Sequence, residues 1–387
     1  MSRIRVTSSF GGYTVYCGEG ALDRAASLIE SLGDSKETFI LSSPHVWRYW
    51  GRAIGRAIPS RKTRQPILFD DAESSKRLAT VEGIARQLVH AGADRRAILI
   101  AVGGGVVGDV AGFAAASYLR GVQLVHIPTT VVAQVDSAIG GKTGVDLPEG
   151  KNLVGAFYPP KLVITDPAFL RTLPDREYRS GLYEIVKYGV IVDAQLFLYL
   201  ERHMDQILRR DPPALSRITS RAIRIKARIV SADEREGGLR QILNFGHTLG
   251  HALETATNYR RFRHGEAVGW GMIGATLLAL AEGHLTEPDA ARIIRLVASI
   301  GPLPGLGALR VASLRPILAS DKKSRGGRVR WVLPRRIGRT EWGIEVPWPV
   351  VARAFAELPY VAAAAAKWPP GGASRLKRGI SEPDRSR

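Results

Sequence analysis

Residues 101–121 read AVGGGVVGDVAGFAAASYLRG, and no other stretch limits the fold as much. The apolar run at 97–102 has the length of a buried strand, and Gly103, Gly104, Gly105 and Gly108 crowd the turn that leads from it into a small-residue helix. Such a corner is the repeating unit of an α/β fold, and ligands gather at the carboxyl ends of its parallel strands. Phosphate oxygens approach a backbone closely only where side chains are missing, and the first turn of a helix offers N–H groups and the positive end of its dipole. The turn is therefore where the phosphates of a dinucleotide would sit. Its spacing is not GxGxxG, so a tight turn required only by packing stands as the alternative. Asp109 is awkward beside a phosphate unless it hydrogen-bonds a ribose or nicotinamide group, or caps the helix.

Around this corner, the runs 38–41, 66–69, 97–102 and 124–127 are strand-like, and Leu78, Val81, Ile84, Ala85 and Leu88 form one face of an intervening helix. The alternation predicts βαβ units and a parallel sheet. After a last strand at 163–165 and the break at Asp166-Pro167, helical periodicity dominates from about 177 to 300. The expected organisation is a Rossmann-like α/β domain over 1–175 and a helical domain over 176–359. Runs at 329–333 and 342–346 predict a hairpin, and the basic, Pro/Gly-rich stretch 360–387 predicts a disordered tail without a catalytic role.

A chain of 387 residues with 45% hydrophobic content can build two ordinary cores. The single cysteine, Cys17, excludes an intrachain disulfide framework and fits a reducing compartment, so the expected location is cytoplasmic. The N-terminal residues lack the apolar run of a signal peptide, and no stretch reaches the ~20 apolar residues of a membrane span. The net charge of +19 raises nucleic acid as a partner. Residues 367–387 hold six basic and two acidic residues of that excess. The rest is diffuse, as at Arg221, Arg224 and Arg228, whose spacing makes a solvated helical stripe. No nucleic-acid-reading motif accompanies the charge, so neither nucleic acid nor membrane is expected as a partner.

Three of the eight histidines fall within eighteen residues, in NFGHTLGH at 244–251 and HGE at 264–266. His247 and His251, four apart, share a helix face and can share one ion; the alternative is a pair of hydrogen-bonded structural histidines. Glu184, in the apolar stretch GLYEIVKYG at 181–189, is the best candidate for an accompanying carboxylate, because an isolated charge there is costly to bury. Lys187, three residues on, makes a surface ion pair the competing explanation.

Together with PTT at 128–130, QVDSAIGGKTGV at 134–145, Lys151-Asn152, LRTLPDRE at 170–177, LNFGHTLGHALE at 243–254, HGEAV at 264–268 and Asp321-Lys322-Lys323, these motifs resemble the 3-dehydroquinate synthase family over nearly the whole chain. The resemblance implies an NAD-binding α/β domain followed by a helical metal-binding domain, an active site in the cleft between them, and a homodimer. It also implies conversion of 3-deoxy-D-arabino-heptulosonate 7-phosphate to 3-dehydroquinate and phosphate, by transient NAD-dependent oxidation, phosphate elimination, reduction and an intramolecular aldol step. By resemblance, a divalent metal, zinc first and cobalt second, falls on Glu184, His247 and His264, and His251 moves to the substrate site. Lys142, Asn152, Lys187, His251 and Lys322 would hold the phosphate end, with Arg120 reaching from the partner subunit. Lys226, Arg240, Asn244 and Asp136 would engage the carboxylate and hydroxyls. The NAD positions are Asp71, Ala72, Glu73, Ser74, Ser75 and Lys76; Gly105, Val106, Val107, Gly108 and Asp109; Thr129, Thr130, Lys142 and Lys151; and Phe169, Leu170, Arg171 and Thr172. On the residues alone, Glu73 and Lys76 also read as a helix-start charge pair, and Thr129 and Thr130 as a strand-end cap.

Tyr183, Asp146 and Trp270 depart from the family pattern, and Tyr183 puts packing around the metal in question. Two rival activities remain at this point. A sedoheptulose 7-phosphate cyclase would share both cofactor sites but change the groups at Asn244, His251 and Lys322. A metal-dependent polyol dehydrogenase would release NADH.

Overall fold

The computed structural model describes residues 1–9, 11–33, 37–58, 65–320 and 329–365. In chain order the strands and helices are β1 (Ser2–Val6), β2 (Tyr13–Cys17), α1 (Ala25–Glu30), β3 (Thr38–Ser42), α2 (Pro44–Ala57), β4 (Ile67–Leu68), α3 (Leu78–His90), β5 (Ile98–Gly103), α4 (Gly105–Ser117), β6 (Gln123–Pro128), β7 (Lys142–Leu147), β8 (Gly150–Phe157) and β9 (Leu162–Thr165). There follow α5 (Asp175–Val192), α6 (Ala194–Leu208), α7 (Pro212–Ala232), α8 (His247–Ala256), α9 (His264–Ala281), α10 (Glu287–Ser299), α11 (Val311–Ser320), β10 (Arg330–Arg336), β11 (Arg339–Glu345) and α12 (Trp348–Ala365). The chain divides into two units, one of Met1–Tyr178 with Arg210–Arg235, the other of Arg179–Arg209 with the chain from Glu236 onward. The units therefore interleave, where the sequence reading draws one boundary at 175. Continuous helical periodicity hides the return of α7 to the first unit.

That unit is built on a seven-stranded sheet of order β1-β2-β9-β6-β5-β3-β4, parallel except for β1 against β2. The predicted strands at 38–41, 66–69, 97–102, 124–127 and 163–165 are β3, β4, β5, β6 and β9. Because side chains alternate across a strand, Phe39, Leu41, Leu99 and Ala101 pack on the side of α3 and α4, while Ile40, Ile98, Ile100 and Val102 pack on the side of α1 and α2. Burial on both faces explains why these strands read as continuous apolar runs. Helix α7 covers β1 and β2, where Ile223, Ala227 and Val230 join Ile4, Val6 and Val15 in one cluster. The edge hairpin β1–β2 and the antiparallel pair β7–β8 carry charges and glycines, and the sequence reading assigned no strand to either.

The second unit is helical around α9, whose residues 265–280 are all buried. An apolar surface on every side marks it as the central helix. It packs against α8, α10 and α12. Close approach explains two of its glycines: a Cβ at Gly271 would lie 1.8 Å from the Gly246 carbonyl oxygen, and one at Gly265 would lie 1.7 Å from that of Ser180. The predicted hairpin is β10–β11. Helix α12 runs through Pro359 to Ala365, beyond the residue at which a tail was expected to begin, and 366–387 lie outside the described residues. No helix among the described residues is long and apolar enough to cross a membrane.

Candidate active site

In the first unit, β5 delivers Gly103 to the turn and Gly104 caps α4 in an extended conformation, with no side chain on the first helical N–H groups. The glycines divide by cause. A Cβ on Gly103 would lie 2.5 Å from Val107, so Gly103 serves internal packing. A Cβ on Gly104 would lie 3.1 Å from Thr130 Cγ2, and one on Gly105 3.4 Å from Ser137 Oγ. Val107 itself is fully buried and can offer a ligand only its backbone.

Asp109 lies beside this turn and accepts a hydrogen bond from Lys76 Nζ at 2.6 Å. Burial pushes the Asp109 carboxyl up to about 6 against the pull of the Lys76 ammonium. Lys76 also donates to Asn152 Oδ1, and the Asn152 N–H donates to Asp146 Oδ1 at 2.8 Å. The Asp146 N–H returns to the Lys76 carbonyl at 2.8 Å. This ring holds Asn152 in the left-handed region at φ 54°, which Asn tolerates better than most residues. Asp146 is here the acceptor that fixes Asn152. The alternative explanation of Glu73 and Lys76 as a helix-start pair does not hold: Glu73 pairs with Lys151 at 2.7 Å, while Lys76 takes Asp109. Ser74 and Ser75 share the short turn with Glu73, just after Asp71 and Ala72, and Asp70 organises it by accepting from the Ala72 N–H and the Ser75 hydroxyl.

Thr130 Oγ1 accepts from the Ala133 N–H at 3.1 Å, the cap expected at that strand end, and the Thr129 N–H donates to the Gly103 carbonyl at 2.9 Å. Phe169 and Leu170 are buried, Arg171 is exposed, and Thr172 Oγ1 accepts from Trp50 Nε1 at 2.7 Å. Val106 is half-buried, and Lys142 is exposed at the start of β7. Asp136 and Lys226, both expected at the substrate, pair with each other at 2.6 Å within this unit. Arg120 is exposed and follows Leu119 in the left-handed region, with φ values of 66° and 48°. Two successive bulky residues there are uncommon and mark a strained corner.

In the second unit, α5 carries Glu184 and Lys187, both wholly buried and ion-paired. The surface-pair explanation of these two residues therefore fails. Nε2 of His247, at the start of α8, and Nε2 of His264, at the start of α9, each lie 3.5 Å from Oε1 of Glu184. One ligand atom from each of the three residues falls within 4.8 Å of the others. Ligands bound to zinc tetrahedrally at about 2.0–2.1 Å stand about 3.4 Å apart, so this donor set fits a divalent ion. His251 stands edge-on to His247 with ring centroids 5.4 Å apart, and the group it joins is with Glu254 and His264. Sharing of one ion by His247 and His251 alone has no support in this arrangement.

Burial and the nearby Lys187 hold the His247 imidazole well below its usual pKa, leaving it neutral with a lone pair to offer. Burial also opposes charge on His264, but in the metal-free protein the carboxylates of Glu254 and Glu184 outweigh it and raise its pKa, a proton standing where an ion would bind. The left-handed Gly246, φ 79°, turns the chain into α8, and a Cβ there would lie 2.7 Å from Met272. The buried Tyr183 ring lies over Gly269, where a Cβ would come within 2.9 Å of it, and Trp270 Nε1 donates to the Pro304 carbonyl at 2.9 Å. Arg240 is buried, and Asn244 Nδ2 donates to Glu236 Oε1 at 2.7 Å. Lys322 lies outside the described residues. The contacts that escaped sequence reasoning include Lys76 with Asp109, Asn244 with Glu236 and His264 with Glu254. Only the spacing of Glu254 three residues after His251 signalled a shared face.

The profile described as 3-dehydroquinate synthase N-terminal matches residues 66–180, and the one described as 3-dehydroquinate synthase C-terminal matches 181–324. The 3-dehydroquinate synthase of Koribacter versatilis (strain Ellin345) is 44% identical over 365 residues, covering 93% of this chain and 99% of that protein. A 2-deoxy-scyllo-inosose synthase crystallised with carbaglucose-6-phosphate, NAD+ and Co2+ superposes with a TM-score of 0.82 at 27% identity, over 92% of this chain and 99% of that one. ValA, a 2-epi-5-epi-valiolone synthase from Streptomyces hygroscopicus subsp. jinggangensis 5008 with NAD+ and Zn2+ bound, gives 0.81 at 29% identity, over 93% and 99%.

Proposed function

The chain belongs to the 3-dehydroquinate synthase family, and we propose that it converts 3-deoxy-D-arabino-heptulosonate 7-phosphate into 3-dehydroquinate and phosphate. It is then a phosphate-eliminating carbon–oxygen lyase of the shikimate pathway, which feeds aromatic amino-acid synthesis. The observation that carries this reading is the convergence of Glu184, His247 and His264. When bound, a divalent ion, zinc in our assignment, would supply Lewis acidity to substrate hydroxyls, and NAD would supply reversible hydride-accepting capacity with no net redox change.

The residues of the second unit bind and orient. Lys187 keeps Glu184 ionised, the His247 and His264 Nε2 atoms face its carboxylate, and His251 is a proton carrier towards the substrate phosphate. Arg240, with its planar guanidinium, suits the carboxylate, and Asn244 a hydroxyl. In the first unit, the backbone from Gly105 to Asp109 cradles the NAD pyrophosphate, with Thr129, Thr130, Lys151 and residues 71–76 and 169–172 around the rest of the cofactor. The Lys76–Asp109–Asn152 ring stiffens that surface. Lys142, Asn152 and Lys322 contribute to the phosphate end, and the Asp136–Lys226 pair to the carboxylate and hydroxyls. We place the enzyme in the cytoplasm as a homodimer, in which the exposed Arg120 reaches the partner's substrate.

The test is phosphate release from the heptulosonate phosphate with NAD far below substrate concentration. Many turnovers without accumulation of NADH, abolished by a chelator and restored by zinc, are expected. Steady build-up of NADH would indicate a dehydrogenase, and release indifferent to NAD would overturn the reading.

A further inference from the structure

Glu254 has no part in the site as proposed, yet it is a buried carboxylate on α8, one turn beyond His251. Its Oε2 lies 3.2 Å from Nδ1 of His264. The other face of that imidazole, Nε2, is the one 3.5 Å from Glu184 Oε1. His247 is arranged alike, with Nδ1 3.1 Å from the Phe245 carbonyl oxygen and Nε2 3.5 Å from the same Glu184 oxygen. Both rings thus have Nδ1 held from behind while Nε2 points inward. The backing group differs: for His247 it is a neutral carbonyl, for His264 a carboxylate.

We infer that Glu254 is a positioning residue that accepts the Nδ1–H of His264, fixes the tautomer with a free Nε2 lone pair, and by its charge makes His264 the stronger of the two imidazole donors. The inference rests on Glu184, His247 and His264 holding the ion. Carboxylates behind a metal-binding histidine set ring orientation and raise ligand basicity, and their loss costs roughly 10- to 100-fold in metal affinity. The competing role is that of a direct ligand, since Glu254 also forms a group within 4.8 Å with His251 and His264. Its engagement with Nδ1 favours positioning, because His264 then offers the ion a single nitrogen.

The test uses the full-length protein and zinc. Competition with a chromophoric chelator gives the wild-type affinity and stoichiometry, with His247→Ala as a control on the site itself. Wild-type protein that binds no zinc, or His247→Ala protein that binds as wild type, would mean that the underlying site assignment fails. Given a sound site, Glu254→Gln, which keeps size and an acceptor but loses the charge, is expected to bind zinc about 10-fold more weakly, and Glu254→Ala more weakly still. NAD affinity of Glu254→Gln should stay unchanged. Wild-type zinc affinity in Glu254→Gln would overturn the role of the charge, and two zinc ions per wild-type chain would overturn positioning in favour of direct ligation. Should either variant fail to fold, 15N-histidine spectra of the zinc-loaded wild type decide: His264 protonated at Nδ1 and metal-bound at Nε2 supports the inference, and the reverse overturns it.

Discussion

At Glu184 a carboxylate sits wholly inside the protein with Lys187, one helical turn on, equally buried beside it. A buried pair adds little over well-packed apolar residues, but removing one partner leaves a charge with no water to solvate it. Lys187→Met is therefore expected to destabilise the metal-free protein by roughly 3 kcal/mol, with part of the loss recovered on adding zinc, whose charge replaces the ammonium. Calorimetry with and without zinc measures both effects; a loss below about 1 kcal/mol would show that Lys187 is not what keeps Glu184 charged. The pairing was legible as a spacing and illegible as an energy. An i,i+3 Glu–Lys pair looks the same on a surface as in a core, and only the apolar neighbours of Glu184 hinted at burial. At Lys76 the same ambiguity went the other way, because Glu73 was three residues off in sequence while Asp109, thirty-three residues away, was the partner.

At the scale of elements, His247 and His264 are aimed by two helix starts rather than by one shared helix face. Helix α8 begins after the left-handed Gly246, and α9 accepts that turn because Gly271 leaves room for its carbonyl oxygen. Gly246→Ala combines an unfavourable φ with a Cβ 2.7 Å from Met272, so α8 should shift or fray at its first turn. A loss of more than 10-fold in zinc affinity is expected, with far-UV circular dichroism nearly unchanged and NAD affinity intact. Unaltered zinc binding would show that the helix start does not aim His247. Strands buried on both faces, β3, β5, β6 and β9, were readable because continuous apolar runs have few other uses. The β1–β2 edge and the β7–β8 pair were not, because half-exposed strands with charges and glycines carry a weak local signal. Helices were found easily but not sorted between units: α7 has the same 3.6-residue periodicity as its neighbours, and what its apolar face covers is a tertiary fact.

For the whole molecule, the chain supplies two separate pieces of equipment, a glycine corner on a parallel sheet and a donor set of two helix-start histidines and one mid-helix carboxylate. Order along the sequence made the combination recognisable, since each motif taken singly has an ordinary structural explanation. The net charge of +19, the most conspicuous global number, said least: several of the cations that matter, Lys76, Lys187, Lys226 and Arg240, are buried rather than displayed. The central claim is that Glu184, His247 and His264 together hold the ion on which turnover depends. Anomalous diffraction at the zinc edge from crystals of the zinc-loaded protein tests it most directly. The account predicts one strong peak per chain, about 2.0–2.2 Å from a Glu184 carboxylate oxygen and from the Nε2 atoms of His247 and His264; a peak centred on His251 and Glu254, or none near Glu184, would contradict it.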